Sequence, residues 1–190
     1  MNDKNKLIEY INEHVKAVTD FSINNNLNTI VKEIIEGLQN GGKVYAFGNG
    51  GSAAEASHFV GELIGRFENG SRVPYRAICL NTDMTVITAI ANDYSYNDIF
   101  SRQVRGLVTS RDIVIGFSTS GNSVNILTAI EYANSLGATT IGFTGSHDDN
   151  RLEQGARYNV VAPSKRTCII QEIHQIAIHY IAKEVERILE

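Results

Sequence analysis

From residue 43 onward the chain alternates short, continuously apolar runs with longer stretches whose apolar residues recur at helical spacing. No other feature constrains the fold as strongly. The runs at 43–47, 76–80, 112–117, 139–143 and 158–161 are expected strands. Strands that are apolar on consecutive residues need cover on both faces, which a parallel sheet with crossover helices supplies. Helices are expected between them at 52–65, 85–91, 97–107, 122–136 and 148–154, with a long one at 167–189. The fold class that follows is α/β: a three-layer sandwich around a five-stranded parallel sheet.

Residues 4–40 read as a helical pair. Leu7, Ile11, Val15 and Val18 recur at helical spacing, as do Leu27, Ile30, Val31, Ile34, Ile35 and Leu38. Asn24, Asn25 and Asn26 mark the turn between them, and Gly41-Gly42 stops the second. With no internal repeat and no linker, residues 1–190 are expected to form one domain. Residues 1–40 would be an N-terminal helical pair packed on it or on a partner.

Composition bounds the partners. The formal charge of −4 carries no basic stripe, which argues against nucleic acid as a ligand. The first residues are polar, no apolar signal region follows, and no run is long enough for a bilayer, so no membrane partner is expected. Cys79 and Cys168 are too few for a secreted disulfide scaffold. A cytoplasmic location fits these features.

In a sheet of this kind ligands bind in the loops at the carboxyl ends of strands. The first such loop is Phe47-Gly48-Asn49-Gly50-Gly51-Ser52, between a strand and a helix. Its glycines allow a sharp turn and close backbone approach, and the helix start favours an anion such as phosphate. The same run would also serve as a plain strand-to-helix turn, and it matches neither a Walker loop nor a dinucleotide fingerprint. The second is Phe117-Ser118-Thr119-Ser120-Gly121-Asn122-Ser123, with four hydroxyls between Ser118 and Ser123. A helix cap needs one hydroxyl, so four favour a phosphate site. With no lysine in the loop, a sugar phosphate suits it better than a nucleotide triphosphate with magnesium.

His58 and Glu62 are four residues apart on the helix after the first loop, which puts both on one face. Gln171 and His179, eight apart on the last helix, lie about 80° from each other around its axis. Two imidazole nitrogens, a carboxylate and an amide oxygen form an unusual but workable zinc set. Taken alone, a His–Glu pair at this spacing is more often a surface contact, and a lone His more often a satisfied packing position.

Several segments together resemble the phosphoheptose (sedoheptulose 7-phosphate) isomerases of the sugar isomerase, or SIS, fold. They are Gly48-Asn49-Gly50-Gly51-Ser52, Ser57-His58-Phe59, Glu62-Leu63 with Gly65-Arg66-Phe67, Ala91-Asn92-Asp93, 99–104, 118–123 and Gln171-Glu172-Ile173-His174. The resemblance covers nearly the whole chain and implies a flavodoxin-like SIS sheet. It implies that His58, Glu62, Gln171 and His179 hold one zinc per subunit, with Glu62 and His179 as the acid–base pair. It also implies substrate contacts from Asn49, Gly50, Gly51, Ser52, Asn92 and Asp93, with Glu62 and Gln171 sharing in them. Ser118, Thr119, Ser120 and Ser123 would hold the phosphate. A homotetramer with sites between subunits is implied as well.

The reaction implied is conversion of sedoheptulose 7-phosphate to D-glycero-D-manno-heptose 7-phosphate through an enediol, supplying heptose for lipopolysaccharide, capsule or another surface glycan. Two alternatives share the architecture: a non-catalytic SIS regulator that associates with the bacterial replication initiator, and an isomerase of another sugar phosphate. The regulator group resembles this chain at 81–83 and 89–93 but lacks the equivalents of Glu62 and His179. Cys168 stands where the family is expected to carry a small residue such as alanine, so its thiol is either a buried filler or a neighbour of the metal. The stretch 146–150 replaces a glycine-rich turn, with His147 expected to face solvent. His174 is expected to pack within its helix, and His14 to lie on an exposed or inter-subunit face.

Overall fold

The computed structural model describes residues 3–24 and 27–190. Strands β1 (Val44–Gly48), β2 (Ala77–Cys79), β3 (Ile113–Phe117), β4 (Thr139–Gly145) and β5 (Tyr158–Ala162) form one parallel sheet in the order β2-β1-β3-β4-β5. The helices are α1 (Asp3–Asn24), α2 (Leu27–Gln39), α3 (Gly51–Ile64), α4 (Met84–Asp93), α5 (Ser101–Leu107), α6 (Val124–Ser135), α7 (Arg151–Gly155) and α8 (Thr167–Leu189). Every expected strand is present, and so is the α/β class. Asn25 and Asn26, placed in the first turn by sequence, lie outside the described residues. Gly41 ends α2 as expected, with a left-handed φ of 79°.

Side-chain alternation sorts the sheet into two cores. Val44, Ala46, Ile113, Ile115 and Phe117 point to the face covered by α1, α2, α3 and α8. Tyr45, Phe47 and Val114 point to the other face, against Phe100, Val104, Ile126, Ile130 and Leu152. Because the central strands β1 and β3 bury apolar side chains on both faces, neither face can be left to water, and the helices must be shared between them. On the second face Gly116 lets α6 approach closely: a Cβ there would stand 2.9 Å from Ile126 and 3.3 Å from Ile130.

Local hydrogen bonding moves several helix boundaries. Asp83 accepts from the N–H groups of Thr85 and Val86, so α4 begins earlier than the apolar pattern indicates. The expected helix at 97–107 is split into a 3₁₀ turn at Tyr96–Asp98 and α5, because Ser95 caps the turn and Ile99 and Phe100 are buried at the junction. Asn150 caps α7 by accepting from Glu153 N–H, which starts that helix three residues later than expected.

The chain leaving α3 folds over the end of α8 and is held there by one carboxylate. Glu186 accepts from the backbone N–H groups of Phe67 (3.1 Å), Glu68 (2.8 Å) and Asn69 (2.7 Å), and from Arg72 Nε (2.6 Å). Both side chains are buried. Burial alone would raise the Glu186 pKa, but the Arg72 hydrogen bond and the three N–H groups outweigh it and bring it from 4.5 to about 2. A depressed carboxylate pKa stabilises the fold above its unfolded value, and that contribution fades as pH falls through the folded one. Removing one partner of a buried pair costs about 3 kcal/mol. Urea unfolding of Glu186→Gln should therefore show a deficit of about that size at neutral pH. The deficit should shrink as pH is lowered from about 4.5 towards 2.

Candidate active site

The order of strands decides where the loops meet. β1 and β3 are neighbours in register, Gly48 opposite Phe117, so the loops that follow them leave the same edge of the sheet side by side. This is the switch point, where the chain turns from one side of the sheet to the other.

In the first loop Gly50 has a φ of 56°, and Ser52 N–H and Ala53 N–H close the turn on Asn49 O and Gly50 O. Asn81, at the end of β2, clamps the Gly48 peptide from both sides. Its Oδ1 accepts from Gly48 N–H (3.1 Å) and its Nδ2 donates to Gly48 O (2.9 Å). The Asn49 side chain is engaged within the protein. Asn49 and buried Asn125 exchange two amide hydrogen bonds of 2.9 Å, and Tyr96 Oη donates to Asn49 Oδ1 (3.0 Å). The first loop is thereby tied to α6, the helix that follows the second loop.

The hydroxyls of the second loop converge on one another. Ser118 Oγ donates to Ser123 Oγ (3.1 Å) and lies 3.5 Å from Ser120 Oγ, while Ser120 Oγ accepts from Asn122 N–H. Ser123 occupies the N-cap of α6, yet its side chain makes no capping bond. That favours the ligand reading over the capping one. Thr119 contributes its carbonyl, which accepts from Gly145 N–H. Gly121, at a φ of 69°, lies against Asn150 and Thr144, where no Cβ would fit. Asn150 in turn donates to Gly145 O (2.9 Å).

Three of the four expected metal ligands come together. α3 and α8 lie on the same face of the sheet, and His58, Glu62 and His179 bring their ligand atoms within 4.8 Å of one another. His58 Nε2 is 3.0 Å from Glu62 Oε1 and 3.2 Å from His179 Nε2. Donors about 2.0–2.1 Å from a tetrahedral zinc sit roughly 3.3 Å apart, so these spacings and donor types fit such an ion. Phe67 flanks His179, with ring centroids 5.8 Å apart. Gln171 packs its side-chain amide over Gly51, where a Cβ would collide with it, and so links α8 to the first loop. Asn92 and Asp93 end α4 on an exposed rim and bond to each other (2.8 Å).

The remaining singled-out residues are structural. Cys168 is half-buried and packs against the edge of the core. His174 is fully buried; its Nε2 lies 3.2 Å from Thr144 O and its Nδ1 3.4 Å from buried Glu55. His14 is half-buried, with Nε2 2.5 Å from Glu172 on α8, so of the exposed and inter-subunit faces expected for it the freely exposed one does not hold. His147 is half-buried where solvent exposure was expected. Sequence reasoning missed Asn81, Asn125 and Tyr96, whose roles depend on partners 33, 76 and 47 residues away.

With this geometry in place, comparison with known proteins is decisive. Residues 8–145 match the family model described as SIS domain. A phosphoheptose isomerase of Thermodesulfovibrio yellowstonii is 47% identical over 85% of this chain and 81% of its own. A probable phosphoheptose isomerase of Thermoplasma acidophilum is 43% identical over 94% and 96%. The chain belongs to the phosphoheptose isomerase family. The solved structure of a phosphoheptose isomerase from Francisella tularensis superposes with a TM-score of 0.93 at 31% identity, covering 98% of this chain and 100% of that one. The family places the chain among isomerases, and its SIS fold has the β1/β3 switch point described above.

The strained glycine of the second loop provides a test. Gly121→Ala forces a Cβ into a left-handed backbone and against Asn150. It should cost about 1–3 kcal/mol in thermal unfolding. It should also weaken sugar-phosphate binding, read as a raised KM.

Proposed function

We propose that this chain interconverts sedoheptulose 7-phosphate and D-glycero-D-manno-heptose 7-phosphate through an enediol. The observation that carries the reading is the convergence of Glu62, on the helix that the first glycine-rich loop opens, with His58 and with His179 of the facing helix. His58, Glu62 and His179 would hold a zinc ion; Gln171, the fourth ligand that the family resemblance implies, packs over Gly51 and would have to turn towards them to join. When bound, the ion supplies Lewis acidity that makes the carbonyl more electron-poor.

The reaction moves a proton between C1 and C2, so the site needs a base for a carbon-bound proton and an acid for the developing oxyanion. Glu62 Oε1 is the base: a carboxylate that accepts the proton at one carbon and returns it at the neighbour. His179, on the facing helix, donates a proton to the oxygen on C2 and takes one from the oxygen on C1, so both groups end as they began. Ser118, Ser120 and Ser123, with Thr119, grip the phosphate by O–H and N–H donors. The backbone of 49–52 and the Asn92–Asp93 pair hold the sugar. Binding energy at the far phosphate then aligns the reacting carbons with Glu62.

The assembly follows the same reading. Leu7, Ile8, Ile11 and Val15 expose an apolar face along α1, larger than a free surface helix needs. That face supports packing of this chain with copies of itself as a homotetramer. Among the described residues no helix is long and apolar enough to cross a membrane. A cytoplasmic enzyme supplying heptose for lipopolysaccharide, capsule or another surface glycan is the role this reading gives it.

Purified protein assayed with sedoheptulose 7-phosphate should turn over and should lose activity on chelation. Glu62→Gln and His179→Gln should each lower kcat by about 10²–10⁴. A metal-replete wild type inert towards this substrate would defeat the assignment. Turnover of a different ketose phosphate would then redirect it to another sugar, and inertness towards all of them would favour the regulator.

A further inference from the structure

The site is divided between two helices, so its geometry depends on what fixes α3 against α8. Glu62 sits two residues before the end of α3, where helical hydrogen bonding runs out and the last carbonyls need other partners. Arg72 supplies them, with Tyr75 N–H also donating to Leu63 O. Its Nη2 donates to Glu62 O (2.5 Å) and its Nη1 to Leu63 O (2.9 Å), with a further bond to Val73 O (3.2 Å). The same guanidinium donates through Nε to Glu186. Glu186 lies seven residues after His179 on α8, within about 20° of the same line along the helix. One buried group therefore joins the backbone of the base to the helix of the acid.

Glu186 adds a second tie. It accepts from Phe67 N–H, and the Phe67 ring flanks His179. The Arg72 guanidinium is held in turn over the Tyr75 ring, 4.3 Å from its centroid. Stability alone does not demand this arrangement, because a buried ion pair often adds little over a hydrophobic pair of similar volume. What the pair does provide is a fixed fork, two-sided on the α3 carbonyls and charged towards α8, which no apolar substitute reproduces.

We infer that Arg72 and Glu186 are positioning residues for catalysis, setting the separation of Glu62 and His179 and so the shape of the metal site. The inference rests on the metal-assisted isomerase reading. Neither residue touches the substrate; both act through the backbone of α3 and the side of α8. The phosphate loops lie at the opposite end of α3, which separates the pair's effect on the reacting groups from substrate capture.

Arg72→Lys is the discriminating variant, since it keeps the charge opposite Glu186 but loses the fork to Glu62 and Leu63. Zinc added to metal-stripped protein is followed by calorimetry, alongside kcat, KM and thermal unfolding. Zinc affinity should fall by about 10- to 100-fold, the range for loss of a partner that orients metal ligands. The kcat should fall about tenfold or more, while KM for the sugar phosphate stays within about twofold. Glu186→Gln should repeat the pattern where it folds; if it does not fold, Arg72→Lys carries the test. A lowered melting temperature with zinc affinity and kcat unchanged, assayed well below that temperature, overturns the positioning role. A wild type that neither binds zinc nor turns over the substrate overturns the proposed function instead.

Discussion

The adjacency of β1 and β3 is the constraint on which the rest depends. The chain runs from β1 out to β2, returns across β1 to β3, and continues outward through β4 and β5. Only at that reversal do two strand-to-helix loops open towards each other with no crossover helix between them. Gly48-Asn49-Gly50-Gly51 and Ser118 to Ser123 meet there, more than sixty residues apart in sequence. The Asn49–Asn125 amide pair then fixes their separation with two hydrogen bonds. That exchange braces the two loops against each other; under the proposed function the backbone N–H groups and serine hydroxyls beside it face the ligand.

A second constraint is the sharing of one sheet face by α3 and α8. Parallel strands that are apolar on both sides force helices onto both faces, and the last helix returns to the face already holding α3. His58 and Glu62 from one helix then meet His179 from the other. Contact between the helices is maintained at three levels along their length. Gln171 lies over Gly51 at the loop end, the His–Glu–His cluster forms the middle, and Arg72 with Glu186 closes the far end. Between them the apolar contacts of Phe59 and Leu63 with the α8 side of the core give non-directional adhesion. The polar ties supply register.

Buried polar groups mark where this protein departs from a plain α/β core. Glu55 and His174 face each other beneath the second loop, and Asn125, Asn150 and Thr144 are buried along the same edge of the sheet. Each sits behind a loop that must hold an unusual backbone: Gly50 and Gly121 both adopt positive φ. A loop of that shape is not stabilised by its own sequence alone, and the side-chain hydrogen bonds behind it keep it in place.

Strand and helix content was legible because hydrophobic periodicity is local: the apolar run at 113–117, the β-branched and aromatic residues of 139–143, and helical recurrence across 167–189. The two loops were legible for the same reason, since glycine and serine concentrations act on their own backbone. Helix starts at Asp83 and Asn150 were misplaced because a cap is one hydrogen bond, invisible to a periodic pattern. The partial burial of His14 was not legible because its neighbour Glu172 lies on α8, far along the chain. By itself, then, the sequence determined the elements, the chemistry available in each loop, and through its motifs the family. Tertiary structure alone decided which loops face each other, that Asn49 is a brace, and that Arg72 joins Glu62 to the helix of His179. Those facts are distances between residues remote in the chain, and no local pattern encodes them.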